Sequence, residues 1–331
     1  MEHVINVLLL VVGFIFLVKG ADYFVISSSS IARKMNISSL VIGLTLVAFG
    51  TSLPELAVSF VASLTVLPGQ TADIAMGNVV GSNIVNITLI LGLTALAKPV
   101  IVSSTMHKKE FPYLVFSSIL IFLLAFYFQS DASIVWWEAI LLLIFFIGYV
   151  TMMVKTTKDS EIEAEYQVFD MRRAIILVLV GITGVSLGGY MVTRGAENIA
   201  IDVMVQLFGM NTSKAVTLVG LSIVAVGTSL PEMVTSIVAA RKGENEIAFG
   251  NLVGSNIFNS LFILGISGII RPLGINNDVL TDIVILIGVT ILALLAAVTR
   301  GAVSKKEGIV LVFIYIIYLS YIILRAFNLL P

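Results

Sequence analysis

The chain contains no cysteine, which excludes disulfides and thiolate metal sites. Histidine is nearly absent. His3 lies near one terminus and His107 in a predicted loop, so neither imidazole falls in an apolar span. Charge is scarce too: only 12% of the 331 residues are Asp, Glu, Lys or Arg, against about 25% in a soluble domain. A net charge of −1 provides no global field for nucleic acid or for an acidic partner. What fills the chain is apolar, with 58% hydrophobic residues and a mean hydropathy of +1.08. This is the composition of a polytopic membrane protein. The first segment opens Met-Glu-His without a basic n-region and stays apolar past signal-peptide length, so it is read as a retained transmembrane helix.

Apolar runs of about 20 residues suffice to cross a bilayer. Breaks at charged, Pro, Gly or Asn residues delimit ten, near 5–28, 38–66, 72–96, 111–129, 133–154, 174–206, 213–240, 246–269, 279–299 and 307–327. The sequence thus predicts an all-α polytopic membrane protein of ten transmembrane helices. A first five-helix repeat spans 1–154, a linker 155–173 and a second five-helix repeat 174–331. Alternate connections hold Arg33 and Lys34; Lys98, Lys108 and Lys109; Lys155, Lys158, Arg172 and Arg173; Arg241 and Lys242; Arg300, Lys305 and Lys306. The other side receives only Lys214, Arg271 and Arg325. By the positive-inside rule the basic connections are cytoplasmic and both termini face outward. Five is an odd number, so the second repeat enters the membrane inverted, as in many alternating-access carriers.

Lys19 and Arg194 fall inside the first and sixth helices, each followed three positions on by an acid, Asp22 and Glu197. That spacing shares a helix face and predicts locally paired, snorkelling charges. The linker KTTKDSEIEAEYQVFDMRR mixes both signs. It lacks the Asp-x-Asp-x-Asp-Gly calcium-loop pattern and is too short for a regulatory domain.

Two motifs are written twice. Residues 43–55 read GLTLVAFGTSLPE and 220–232 read GLSIVAVGTSLPE; residues 74–86 read IAMGNVVGSNIVN and 247–259 read IAFGNLVGSNIFN. A carboxylate at membrane depth is costly unless paired, hydrated or holding a cation, and its duplication points to one site built from two halves. Thr51, Ser52 and Glu55 lie three or four positions apart on one helix face, and Thr228, Ser229 and Glu232 repeat the pattern. Pro54 and Pro231 remove a helical N–H, freeing backbone carbonyls around Ala48 to Gly50 and Ala225 to Gly227. In the partner motifs Ser82 and Asn86, and Ser255 and Asn259, share a face, while Gly77/Gly81 and Gly250/Gly254 permit close helix approach. Asn78, Asn83, Asn251 and Asn256 cannot all face the same centre and are assigned to structural hydrogen bonds. The ligand set is all oxygen, which suits hard cations, and flexible multi-oxygen coordination favours calcium over magnesium. Competition of calcium and sodium for one ligand set is the simplest basis for antiport.

GTSLPE followed by GNVVGSNIVN, and GTSLPE followed by GNLVGSNIFN, resemble the two alpha-repeats of the calcium/cation antiporter superfamily. Over essentially the full chain the resemblance is greatest to prokaryotic sodium/calcium exchangers. It implies that Glu55 and Glu232 are central calcium ligands. It also implies that Thr51, Ser52, Ser82, Asn86, Thr228, Ser229, Ser255 and Asn259, with the carbonyls of Ala48 and Ala225, complete neighbouring sodium and calcium sites. The first and sixth helices would slide past a stationary core. The expected protein is a monomer in the cell membrane, with calcium, sodium and the lipid bilayer as partners. It needs no cofactor, protein partner or nucleic acid. Potassium-dependent relatives carry aspartate at the position of Asn259; the neutral amide here argues against potassium co-transport. A proton/calcium antiporter is the nearest alternative, and a cation channel belongs to a different class. An intramembrane hydrolase using Ser52 or Ser229 is disfavoured, because no histidine lies in a predicted span.

Overall fold

The computed structural model describes residues 2–67, 69–102, 106–126, 133–156, 169–327 and 329. Twelve helical segments run in chain order: α1 (Glu2–Lys34), α2 (Ser39–Thr51), α3 (Leu53–Thr65), α4 (Asp73–Ala97), α5 (106–126) and α6 (Trp136–Thr156). The second set is α7 (Met171–Gln206), α8 (212–227), α9 (Leu230–Lys242), α10 (Asn245–Ile270), α11 (Asn277–Arg300) and α12 (Lys305–Ala326). Eight helices among the described residues are long and apolar enough to cross a membrane, or nine if α2 and α3, bent by 50° where they meet, form one span. The chain is therefore a multi-pass, helical membrane protein.

Several expectations are corrected. The second and seventh predicted spans are not continuous helices; each breaks at its GTSLPE motif, for the backbone reason given below. α1 runs past its expected span at both ends, from Glu2 to Lys34, and α7 begins three residues early, at Met171, because polar residues tolerate helix once outside lipid. His107, expected in a loop, belongs to a wide π-type turn, Met106–Glu110, that opens α5. The predicted end of the fourth span (127–129) and most of the linker (157–168) lie outside the described residues. Two short antiparallel strand pairs tie connections together: β1 (Val100–Ile101) with β4 (Ala302–Val303), and β2 (Ser133–Ile134) with β3 (Leu273–Gly274).

The buried apolar side chains form two separate clusters. The larger draws on α2, α4, α5, α6, α10, α11 and α12, with Met76, Ile87, Phe111, Phe249 and Leu261 at its centre. The smaller joins α1 and α7, through Leu17, Phe24, Val178 and Val185, to Val47 of α2, Ala239 and Ala240 of α9 and Ile247 of α10. Small residues let α1 and α7 lie against each other along their length. A Cβ at Gly188 would stand 2.5 Å from the Leu17 nitrogen, and one at Gly20 2.7 Å from the Val185 nitrogen. At one end Asn198 donates to Asn6 Oδ1 (3.0 Å).

At the other end ion pairs fasten α1 to the larger body. Lys242 meets Asp22 at 2.6 Å, and Arg33 (3.2 Å) and Ser29 (2.7 Å) both meet Glu244. The Lys19–Asp22 pairing expected from sequence is thus replaced: Asp22 faces α9 and takes a partner there. Arg194 and Glu197 pair as expected, at 2.9 Å. Outside the spans, the hydrogen bond from Lys34 holds the Asp170 carboxyl below its ordinary value.

The glycine contacts make a direct test. Gly188→Ala should push α1 and α7 apart and lower thermal stability in detergent, on the scale of about 1–3 kcal/mol for overpacking. Gly148→Ala, with nothing near its added methyl, should leave the melting temperature unchanged. Equal melting of the two variants would mean that the α1–α7 contact is not tight.

Candidate ion site

Both helix breaks follow from the same local sequence. Ser52 (φ −83°, ψ 9°) and Ser229 (φ −90°, ψ 9°) leave helical geometry, and α3 and α9 restart one residue later. Pro54 and Pro231 occupy the first turn of the new helices, where a missing N–H costs no intrahelical bond. Glu55 and Glu232 also lie in that first turn, where backbone N–H groups and the helix dipole favour a carboxylate. The backbones at the breaks differ in detail. The Ser52 N–H and the Thr51 hydroxyl both donate to Ala48 O, at 3.0 and 3.3 Å. The Ser229 N–H instead makes a tighter turn to Val226 O (3.1 Å) and leaves Ala225 O unclaimed by that turn.

The two carboxylates are fully buried, and each binds the opposite motif. Ser229 donates to Glu55 Oε1 at 3.2 Å, and Ser52 donates to Glu232 Oε1 at 2.9 Å. Ser255 reaches the same Glu232 oxygen at 3.5 Å. The Thr51 hydroxyl lies 3.0 Å from Asn251 Oδ1 and 3.5 Å from the Ser255 hydroxyl. Glu55 Oε2 and Glu232 Oε2 find no hydrogen-bond partner among the described residues. A buried, unpaired carboxylate costs several kcal/mol. A cation between the two free oxygens would offset that cost.

The asparagines differ in their partners. Asn78 donates to Glu55 O (3.2 Å) and Ser59 (2.9 Å), and Asn251 donates to Glu232 O (3.3 Å) and Ser236 (2.9 Å). Asn251 also accepts from Thr51 at 3.0 Å. Asn83 donates to Asn256 O (3.3 Å) and Ser260 (2.8 Å), and Asn256 donates to Leu252 O (2.7 Å). Asn78, Asn83 and Asn251 therefore bridge helices, whereas the Asn256 side chain bonds within its own helix and its Oδ1 has no partner among the described residues. Asn86 is fully buried with both amide atoms unpartnered among the described residues, and so is Asn259 Oδ1, whose Nδ2 donates to Asn83 at 3.1 Å. Ser82 is buried nearby on α4. α3 packs on the turn holding Asn259 and α9 on the turn holding Asn86.

Ser59 and Ser236 were missed from sequence, although a serine four residues after each duplicated glutamate was a readable signal. Four wide π-type turns were not foreseen either: Gly43–Val47 and Gly220–Val224 precede the breaks, and Asn86–Ile90 and Phe258–Ile263 hold or adjoin the two asparagines. Such turns recur at functional sites. Among the described residues no cluster of three or more His, Cys, Asp or Glu is present. Two carboxylates ringed by neutral oxygens are what the site offers a cation.

The profile of the sodium/calcium exchanger protein family matches residues 5–155 and 173–324. The chain belongs to the sodium/calcium exchanger family. This family member is 37% identical over 321 residues to the putative antiporter CaxA of Alkalimonas amylolytica, covering 93% of this chain and 95% of that one. It is 33% identical over 354 residues to the sodium/calcium exchanger MaX1 of Methanosarcina acetivorans, covering 95% and 97%. Its structure is similar to the sodium-calcium exchanger NCX_Mj soaked with 10 mM Na+ and zero Ca2+, with a TM-score of 0.79 and 32% identity, covering 96% and 99%. The resemblance drawn from the duplicated motifs therefore holds: this is a membrane ion antiporter of that family.

The strut asparagines should differ in weight. Asn251→Ala removes three hydrogen bonds (to Thr51, Ser236 and the Glu232 carbonyl), whereas Asn78→Ala removes two. Each bond contributes about 0.5–1.5 kcal/mol, so Asn251→Ala should melt at the lower temperature. The reverse order in a detergent melt would contradict the hydrogen bonds described.

Proposed function

We propose that this chain is a sodium/calcium antiporter of the cell membrane that works by alternating access. The carrying observation is the pair of buried carboxylate oxygens without partners among the described residues, each on a glutamate held by a serine from the other motif. Glu55 and Glu232 would bind calcium between them, neutralising its charge. The hydroxyls of Thr51, Ser52, Ser82, Thr228, Ser229 and Ser255, the amides of Asn86 and Asn259 and the carbonyls of Ala48 and Ala225 would fill the remaining coordination. Calcium accepts six to eight oxygens in flexible geometry, which a ring of neutral groups on broken helices can supply. Sodium would use subsets of the same oxygens, so the two ions compete.

Ten membrane helices in two inverted repeats, 1–154 and 174–331 around a cytoplasmic linker at 155–173, fit this reading. α8 and α9 stand to the second half as α2 and α3 stand to the first. The two separate stretches matched by the family profile support the same division. The basic connections would face the cytoplasm and both termini the outside. α1 and α7, which share an apolar cluster distinct from the larger one, would move as a unit while the site stays fixed. One chain contains every proposed ligand, so a monomer suffices.

Two measurements test the proposal. In vesicles containing purified protein, an imposed sodium gradient should drive uptake of labelled calcium, while Glu55→Gln and Glu232→Gln each reduce it to background. Near-normal flux in either variant would reject the shared site, and flux driven by a pH gradient alone would favour the proton-coupled alternative. Calcium binding should weaken as sodium rises and respond much less to potassium at equal ionic strength. Equal weakening by both salts would indicate screening and end the sodium assignment.

A further inference from the structure

Lys19 is one of two cations placed alike inside the paired helices, and the two have different fates. Arg194 on α7 pairs with Glu197. The acid three residues from Lys19 is taken by Lys242 at 2.6 Å, and among the described residues Lys19 makes no ion pair or hydrogen bond. Its side chain is exposed on the outer face of the α1–α7 pair. It lines an apolar groove of about 590 Å³ between α1 and α7, with Ile15, Phe16, Tyr23, Leu179 and Leu187 among the walls. Gly20 and Gly184 leave the floor without side chains, which makes the surface concave. Tyr23, four residues on from Lys19, is on the same face, and its hydroxyl likewise has no partner among the described residues.

The depth of this groove follows from the helices. Lys242 is ten residues from Glu232 on α9, or about 15 Å along the axis. A hydrocarbon core is about 30 Å thick, so with Glu232 near its middle Lys242 lies at the boundary. Asp22 is bound to Lys242, and Lys19 is about 4.5 Å further in by helical rise. The Lys19 ammonium can therefore snorkel to the phosphate level of the leaflet that carries Arg33 and Arg241. From there the groove runs toward the bilayer centre, along Phe16 and Leu187.

The geometry points to a bound anionic phospholipid: its phosphate sits on the Lys19 ammonium, with the Tyr23 hydroxyl beside it, and one acyl chain fills the groove between α1 and α7. A zwitterionic lipid fits less well, because its own ammonium competes for the phosphate and leaves Lys19 uncompensated. A lysine near the membrane surface contributes a preference for anionic lipid of about three- to fivefold. The bound lipid touches only the two paired helices, so it would travel with them. This goes beyond the ion assignment, and its test involves no ion transport, so either can fail alone.

A reporter tryptophan in the groove tests it. Leu187→Trp is introduced after Trp136 and Trp137, the native tryptophans, are replaced by Phe. The full chain is reconstituted in phosphatidylcholine vesicles. Fluorescence is then titrated with phosphatidylglycerol or phosphatidylcholine brominated at mid-chain. Brominated phosphatidylglycerol should half-quench at a mole fraction about three- to fivefold lower than brominated phosphatidylcholine. Lys19→Gln should abolish that preference and Lys19→Arg should keep it. Equal quenching by the two lipids with Lys19 present would mean ordinary annular lipid and would overturn the assignment. So would a preference that survives Lys19→Gln, or brominated stearic acid displacing phosphatidylglycerol at equal mole fraction.

Discussion

The structure depends on how two carboxylates are kept inside a protein of this hydropathy. Among the described residues neither glutamate is paired with a cationic side chain. Instead Ser229 holds Glu55 and Ser52 holds Glu232, so each charge is anchored by the opposite motif pair. Hydrogen bonds to charged groups are stronger than neutral ones, and here they also cross the centre of the molecule. Neither motif can be completed without the other. The helix breaks fall at the very residues that make these crossing bonds, Ser52 and Ser229.

Around this centre the packing divides unevenly. Asn78 and Asn251 clamp the glutamate-bearing helices to α4 and α10 through backbone carbonyls, and Asn83 ties α4 to α10 directly. Side-chain amides that span helices in this way make the inner four segments rigid. α1 and α7 are joined to each other by close backbone contact but to the rest by a small aliphatic cluster and ion pairs at one end. Apolar surfaces resist sliding less than directed bonds do, and the described ion pairs that cross to α9 and α10 are confined to the Arg33 end.

Much of this was legible in the chain. The duplicated Glu55 and Glu232 stood out because lipid makes such residues expensive, and helical spacing already set Asn78 and Asn251 aside as hydrogen-bonding residues. The pairing of Asp22 was not legible. Spacing along one helix favoured Lys19, while the decisive partner, Lys242, is distant in sequence and near only after α9 has packed. Nor could propensity reveal the shifted turn at Ser229, since GTSLPE is identical in both motifs and only the neighbouring packing differs. The π-type turns escaped for a related reason: Gly43 keeps ordinary helical dihedrals (φ −59°, ψ −50°), so no local residue preference marks the extra residue in the turn.

Those turns bear on how the two halves can diverge. A π-type turn carries one residue more than an α-turn. Losing that residue would rotate everything downstream by about 100°. Gly43 and Glu55 are twelve residues apart, and so are Gly220 and Glu232. Substitution along these stretches leaves the count intact, and the aliphatic positions do differ between the halves. A single insertion or deletion would point one glutamate into lipid and deprive its counterpart of a serine. The duplicated segments are therefore free to drift in composition and locked in length, and the lock on each is enforced by the other.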